Sequence, residues 1–354
     1  MTKILFLYTE LADYFVNCLR ELNSPKIEIH LVRWSVKKEA PFKFEIPDDI
    51  TVYNRDDHDN ISLVELGEKI QPDLIFCSGW MDKGYVKVCK KFSGKIPTVT
   101  GMDNHWKGGI KQQLARVGSK FTIQKYFSHI WVPGAPQEEY AQKLGFKSEH
   151  ILKGFYTANT DYFNSLYLDC LHSKKKNYPK RFIYVGRYVE FKGVFDMWQA
   201  FIELHDEQPN EWELWCLGTG DDWDKRIMHP MIKHIGFVQP SELRKYLNET
   251  GVFILPSHKE PWGVVVHEMA AAGFPLVCSN TIGAATAFLE TGKNGYFFEP
   301  GNKKEIKDKM KRMMLMQEKE LLEMGQYSHQ LGQKITPQKW VNEISRLLYE
   351  KEKN

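Results

Sequence analysis

No apolar run in this sequence approaches the ~20 residues that cross a bilayer, so no transmembrane helix is expected. Neither sign of charge dominates: Lys plus Arg number 48, Asp plus Glu 45, and the formal net charge is +3. That balance argues against a dedicated nucleic-acid binder, whose affinity rests on counterion release at a concentrated basic field. The six cysteines (Cys18, Cys77, Cys89, Cys170, Cys216, Cys278) contain no C-x-x-C pair and lie mostly inside apolar runs. They read as reduced, buried thiols of a cytoplasmic protein, not as a disulfide frame or a zinc site. The apolar opening Ile4–Tyr8 is too short for a signal-peptide core and has no small-residue cleavage site, which argues against secretion. No G-x-G-x-x-G follows that run, against a dehydrogenase, and no G-x-S-x-G elbow occurs.

What is there is an alternation. With 42% hydrophobic and 26% charged residues in 354, the composition is globular, and the length suits two domains. Short apolar runs (Ile4–Tyr8, Ile27–Val32, Leu74–Cys77, Thr98–Thr100, Ile130–Val132) alternate with helical-period segments such as Leu11–Leu22, Ser62–Ile70 and Gln137–Leu144. That is the pattern of a parallel α/β sheet. Lys37–Asp59 is polar, carries Pro41 and Pro47, and reads as a strand-poor connection or short hairpin. His172–Pro179 is basic and ends in proline, as a solvated linker would.

A second series follows, with strands expected at Phe182–Val185, Glu213–Leu217, Lys233–Phe237, Val252–Leu255, Leu276–Cys278 and Gly295–Phe298. Helices are expected at Gly193–Leu204, Ser241–Leu247, Val264–Ala272, Lys303–Gln317 and Gln317–Lys334, and Thr336-Pro337 caps a final one. The expected domains are 1–172, 173–335, and a C-terminal helix over 336–354 that could cross back to the first domain.

Two constellations carry chemistry. In the first, a strand ends at Gly186, Arg187 and Lys192 follow, and a helix starts near Gly193. An arginine fork and a lysine point charge at the C-terminal edge of a parallel sheet suit a diphosphate, though a plain surface basic pair would look the same. In the second, a strand stops at Pro256, the loop carries Glu260, and a helix opens near Gly263 with Glu268 one turn inside. Free backbone N–H groups at the helix start then lie between two carboxylates, an anion site flanked by hydroxyl acceptors. The bland reading is a capping glutamate and a helix-surface glutamate.

Taken in order, Gly186-Arg187…Lys192-Gly193, Gly218-Thr219-Gly220 and Glu260…Glu268 followed by Met269–Val277 resemble the glycosyltransferases of family 4. Asn294–Pro300 and the helix with Trp340 are similar to that family's ending, and the resemblance covers roughly residues 180–348. It implies the GT-B fold, α/β with two Rossmann-like domains facing each other across a cleft that holds the site. It also implies a retaining transfer of a sugar from a nucleotide-diphosphate sugar to a glycan or lipid-linked acceptor, with no metal and no other cofactor. On that resemblance Arg187 and Lys192 hold the diphosphate beside Gly186, and Glu260 binds donor-sugar hydroxyls with the backbone of Trp262, Gly263 and Val264. Glu268 accepts from the ribose, and Val238 meets the base through its backbone. The alternatives are a nucleotide-sugar-binding protein without turnover, or an epimerase or phosphorylase of the same fold.

The chain departs from the family in three places. Tyr8-Thr9-Glu10-Leu11 stands where paired glycines often follow the first strand, and Ile282-Gly283-Ala284-Ala285 where a later glycine pair does. Met102 stands at the place of a frequent histidine; Asp103 and His105 are the nearby candidates for the reacting centre, neither a residue-for-residue match. Asp57-His58-Asp59 and Asp222-Trp223-Asp224 have Asp-x-Asp spacing but read as a solvated turn and a weak metal candidate. Between Asp103 and Glu138 there is no acid, while Lys107, Lys111, Arg116, Lys120 and Lys125 interleave with Ile110, Leu114, Val117 and Phe121 at helical spacing. This basic amphipathic helix suits a phosphorylated acceptor or peripheral contact with an anionic membrane; the other reading is a packed helix with solvated lysines.

Overall fold

The computed structural model describes residues 1–35 and 45–352. They form two compact units, Met1–Thr157 with Ile335–Asn354, and Ala158–Lys334.

The first unit is built on β1 (Thr2–Tyr8), β2 (Ile27–Arg33), β3 (Thr51–Asn54), β4 (Leu74–Cys77), β5 (Thr98–Gly101), β6 (His129–Val132) and β7 (Ile151–Lys153). They pair in the order β3-β2-β1-β4-β5-β6-β7, every pair parallel. Helices cover both faces, so the inner strands are buried apolar runs such as Leu74-Ile75-Phe76-Cys77. The final helix, Pro337–Glu352, belongs to this unit: Trp340 stacks on Trp131 with ring centroids 4.9 Å apart, and Ile344 and Leu347 are buried with it. The Thr336 hydroxyl caps that helix by accepting from the Lys339 N–H at 3.2 Å.

The second unit holds β8 (Arg181–Val185), β9 (Glu213–Leu217), β10 (Ile232–Gly236), β11 (Val252–Leu255), β12 (Leu276–Ser279) and β13 (Gly295–Phe298). Their order is β10-β9-β8-β11-β12-β13, again all parallel. Strand order reverses between β1 and β4 in one sheet and between β8 and β11 in the other. In such sheets ligands bind at the carboxyl ends of the strands, at the reversal.

Two expectations are corrected. The expected linker at 172–179 is largely helix, and the chain enters the second unit at Ala158, not at 173. A 17-residue helix, Thr160–Lys176, is capped by Asn159, whose side chain accepts from the Tyr162 N–H. Phe163, Leu166, Cys170 and Lys174 form its buried side. A lysine-rich last turn reads as linker in the sequence, but it complements the negative end of a helix. The other correction concerns Lys37–Asp59. Its first part lies outside the described residues, and the remainder is strand-poor, as one alternative had it, with a single short strand, β3, which pairs parallel with β2 and so makes no hairpin with it. At the edge of the sheet a polar strand is tolerated because one side meets water.

Candidate active site

The site of the second unit is assembled where β8 and β11 end side by side. Gly193 sits in the left-handed region (φ 68°), and a Cβ there would lie 2.2 Å from the Pro256 carbonyl oxygen. Only glycine lets the two exits touch backbone to backbone. The His258 N–H donates to the Phe191 carbonyl at 2.9 Å across the same contact. Lys192 and Glu260, far apart in sequence, are thereby joined: the ammonium donates to the carboxylate, and both side chains are largely buried.

The loop carrying Glu260 is fixed from a third exit. The Gly283 N–H donates to the Glu260 carbonyl (3.2 Å) and the Ala284 N–H to that of Trp262 (2.8 Å). The small residues at 283–285 thus permit a close backbone approach. Below, the Ser257 carbonyl accepts from Ser279 Oγ and from Thr281 Oγ1. Gly263 (φ 85°) then opens the helix Val264–Ala271, and a Cβ there would press within 2.8 Å of the Glu260 side chain. In that helix Val264, Val265 and Glu268 are half-buried while the rest are buried. Glu268 therefore lies on the single accessible strip, on the face of Val264.

Gly186 and Arg187 leave β8 beside this pair. The Gly186 N–H donates to the Leu217 carbonyl, and a Cβ on Gly218 would lie 1.9 Å from the Gly186 oxygen. The Gly218-Thr219-Gly220 element is thus a backbone-packing device between the exits of β8 and β9. Arg187 is exposed, its guanidinium 6.0 Å from the Phe191 ring centroid. The Tyr184 hydroxyl donates to its carbonyl at 2.8 Å, and burial pushes that phenol's pKa well up, keeping it a neutral donor. Val238 follows β10 at the same edge, half-buried.

One neighbouring contact escaped sequence reasoning. His258 Nε2 lies 2.6 Å from Asp196 Oδ2, bracing the β11 exit against the helix Val194–Glu207. The Trp262 indole is buried, and its N–H meets no acceptor among the described residues. Nothing in the spacing of residues 62 apart suggests the His258–Asp196 pair; only the adjacency of β8 and β11 creates it.

In the first unit Asp103 and His105 share the loop after β5. The Asp103 carboxylate accepts from the Tyr156 hydroxyl at 3.2 Å, and its carbonyl accepts from the Gln137 amide. Burial raises the Tyr156 pKa, so this phenol stays a donor. The His105 carbonyl accepts from Gln112. Met102 is buried in the core below, so Asp103 is the first residue of the loop with a side chain that reaches out of it. At Thr9, the segment that replaces paired glycines is tied to Ser78 through N–H and hydroxyl.

The Asp-x-Asp candidates do not converge. Asp222 is nearly buried and bound by Lys225, whereas the Asp224 side chain is fully exposed. Asp59 accepts from the Ile61 and Ser62 N–H groups, which lowers its pKa, and Asp57 is exposed. Among the described residues His205, Asp206 and His229 bring possible ligand atoms within 4.8 Å of one another. They lie near the start of β10 and the end of the helix Val194–Glu207, the edge opposite Glu260.

The sequence of the second unit is similar to a known family. Residues 172–331 match the family model of glycosyl transferases group 1. A glycogen synthase of Mycobacterium tuberculosis is 35% identical over 128 residues, which is 34% of this chain and 31% of that one. The chain thus spans about a third of that relative's length. A putative teichuronic acid biosynthesis glycosyltransferase of Bacillus subtilis is 26% identical over 309 residues, 78% of this chain and 74% of that one. The fold extends over both units: the Anabaena HepE structure in complex with UDP and glucose superposes with a TM-score of 0.74, covering 99% of this chain and 100% of that one at 15% identity. Two parallel-sheet α/β domains of the GT-B type are the shared architecture.

Proposed function

We propose that the chain is a retaining glycosyltransferase of family 4 that moves a hexosyl group from a nucleotide-diphosphate sugar to a glycan or lipid-linked acceptor, without a metal. The observation that carries this reading is the Lys192–Glu260 pair fastened beside the Gly263-opened helix at the β8/β11 reversal. In this reading the helix N–H groups and the Lys192 and Arg187 cations take up the charge that departs with the diphosphate. Glu260 orients sugar hydroxyls, Glu268 holds the ribose, and Val238 meets the base. Asp103 and His105 lie on the acceptor side. The HepE complex with UDP and glucose supports a nucleotide sugar as the donor class.

The test is a thermal-shift screen of nucleotide sugars followed by product assays with the donor that binds. Glu260→Gln should cut turnover by roughly 10²-fold while nucleotide affinity stays near normal. Glu268→Gln should weaken the nucleotide itself. A chelator should leave the rate unchanged. Near-normal turnover of Glu260→Gln, or chelator inhibition reversed by Mn²⁺, would overturn the assignment.

A further inference from the structure

The helix Ile110–Gly118 and the turn Ser119–Phe121 that follows it leave an apolar stripe outside the first unit's core. Ile110, Leu114, Val117 and Phe121 are 82, 68, 79 and 78% exposed, and no residue of the helix is buried. At about 100° per residue the three on the helix fall within an arc of about 60°. Gln112, Ala115 and Gly118 are its half-buried positions; Gln112 and Ala115 lie on the side opposite the stripe, and Gln112 is tied to the His105 carbonyl. The stripe therefore points away from the unit. Scattered apolar residues are ordinary on a surface, but four aligned on one stripe are not.

Charge selects the occupant. Lys111 falls on one flank of the stripe and Arg116 and Lys120 on the other, all exposed, with Lys107 and Lys125 exposed at either end. No Asp or Glu occurs from 104 to 137. A second copy of this surface would set like charges against each other, and a soluble acidic ligand would leave the stripe in water. An apolar stripe bordered on both sides by cations is the arrangement of a helix lying in the plane of an anionic bilayer.

We propose that this segment docks the first unit on anionic lipid, the stripe in the acyl boundary and the lysines at headgroup level. Docking is a property of the segment itself and is tested without donor, so it stands or falls separately from the transfer reaction.

The experiment is cosedimentation of the full chain with vesicles of phosphatidylcholine alone and of phosphatidylcholine with an equal share of phosphatidylglycerol. The wild type should prefer the anionic vesicles, with an affinity that falls steeply as salt rises. Lys111→Gln/Lys120→Gln/Lys125→Gln should lower that affinity by roughly 10²-fold, since each cation near the surface contributes about fivefold. Leu114→Ser/Phe121→Ser, with all charges kept, should also release the protein. All five side chains are exposed, so both variants should keep the wild-type melting temperature. Equal affinity for neutral and anionic vesicles, or no binding to either, overturns the proposal. So does a concentration-dependent dimer that Leu114→Ser/Phe121→Ser abolishes while vesicle binding is absent.

Discussion

At Arg187 charge and shape can be separated. If its planar fork grips a diphosphate, Arg187→Lys keeps the charge and loses the bidentate geometry. Transfer should fall at least tenfold with the fold intact, because the side chain is exposed; full activity would mean that only a diffuse charge is needed. Lys174 poses a different question, since its ammonium is buried 3.6 Å from the Phe274 ring centroid and has no hydrogen-bond partner among the described residues. Burial lowers its pKa from 10.5 to about 8. The unfolded chain then holds a proton that the folded chain has lost between pH 8 and 10.5, so stability rises with pH through that window. Below it the folded protein carries the full cost of the buried charge. Lys174→Met should stabilise the second unit by up to ~3 kcal/mol below pH 8 and flatten the slope relative to wild type in denaturant titrations. An unchanged slope would place the ammonium in water.

Among elements, those that pack on both faces were the legible ones. Inner strands such as Leu74–Cys77 and Val252–Leu255 stand out because a parallel sheet covered by helices demands unbroken apolar runs. Thr51–Asn54 does not, because a four-residue edge strand with three exposed side chains needs no apolar run, even though Thr51, Val52 and Tyr53 favour strands. The helix Thr160–Lys176 hides behind its terminal lysines, and Lys83–Phe92 behind a lysine-rich surface, although Asp82 caps it with bonds to Gly84 and Tyr85. For the site, the motif order was readable, but the contact of Lys192 with Glu260 comes from β8 lying beside β11, which no local pattern encodes. The loop with Asp103 is the converse case: the residues are visible, while Tyr156 joins from beyond β7. The glycine at the heart of the β8/β11 contact gives the element-scale test. Gly193→Ala would force the Pro256 carbonyl aside and strain a positive φ. We expect a loss of more than ~2 kcal/mol in urea titration and a larger relative loss in donor binding. Wild-type stability in that variant would show that the two exits are not held in contact.

For the whole molecule, duplication of one sheet plan has a practical side. The six free cysteines divide evenly: Cys18, Cys77 and Cys89 lie in the first unit, Cys170, Cys216 and Cys278 in the second, and all are buried. Burial also raises several thiol pKa values, to about 12 for Cys216 and upward for Cys18, Cys89, Cys170 and Cys278. A thiol reagent at neutral pH should therefore leave the native chain almost unlabelled and modify all six once it is denatured. Mass spectrometry of peptides after timed labelling in low urea would then read two separate clocks, one for each unit's opening. Lys174→Met should slow the clock at 170, 216 and 278 and leave the other untouched. The chain carries its own probes of which half lets go first, already distributed three to a side.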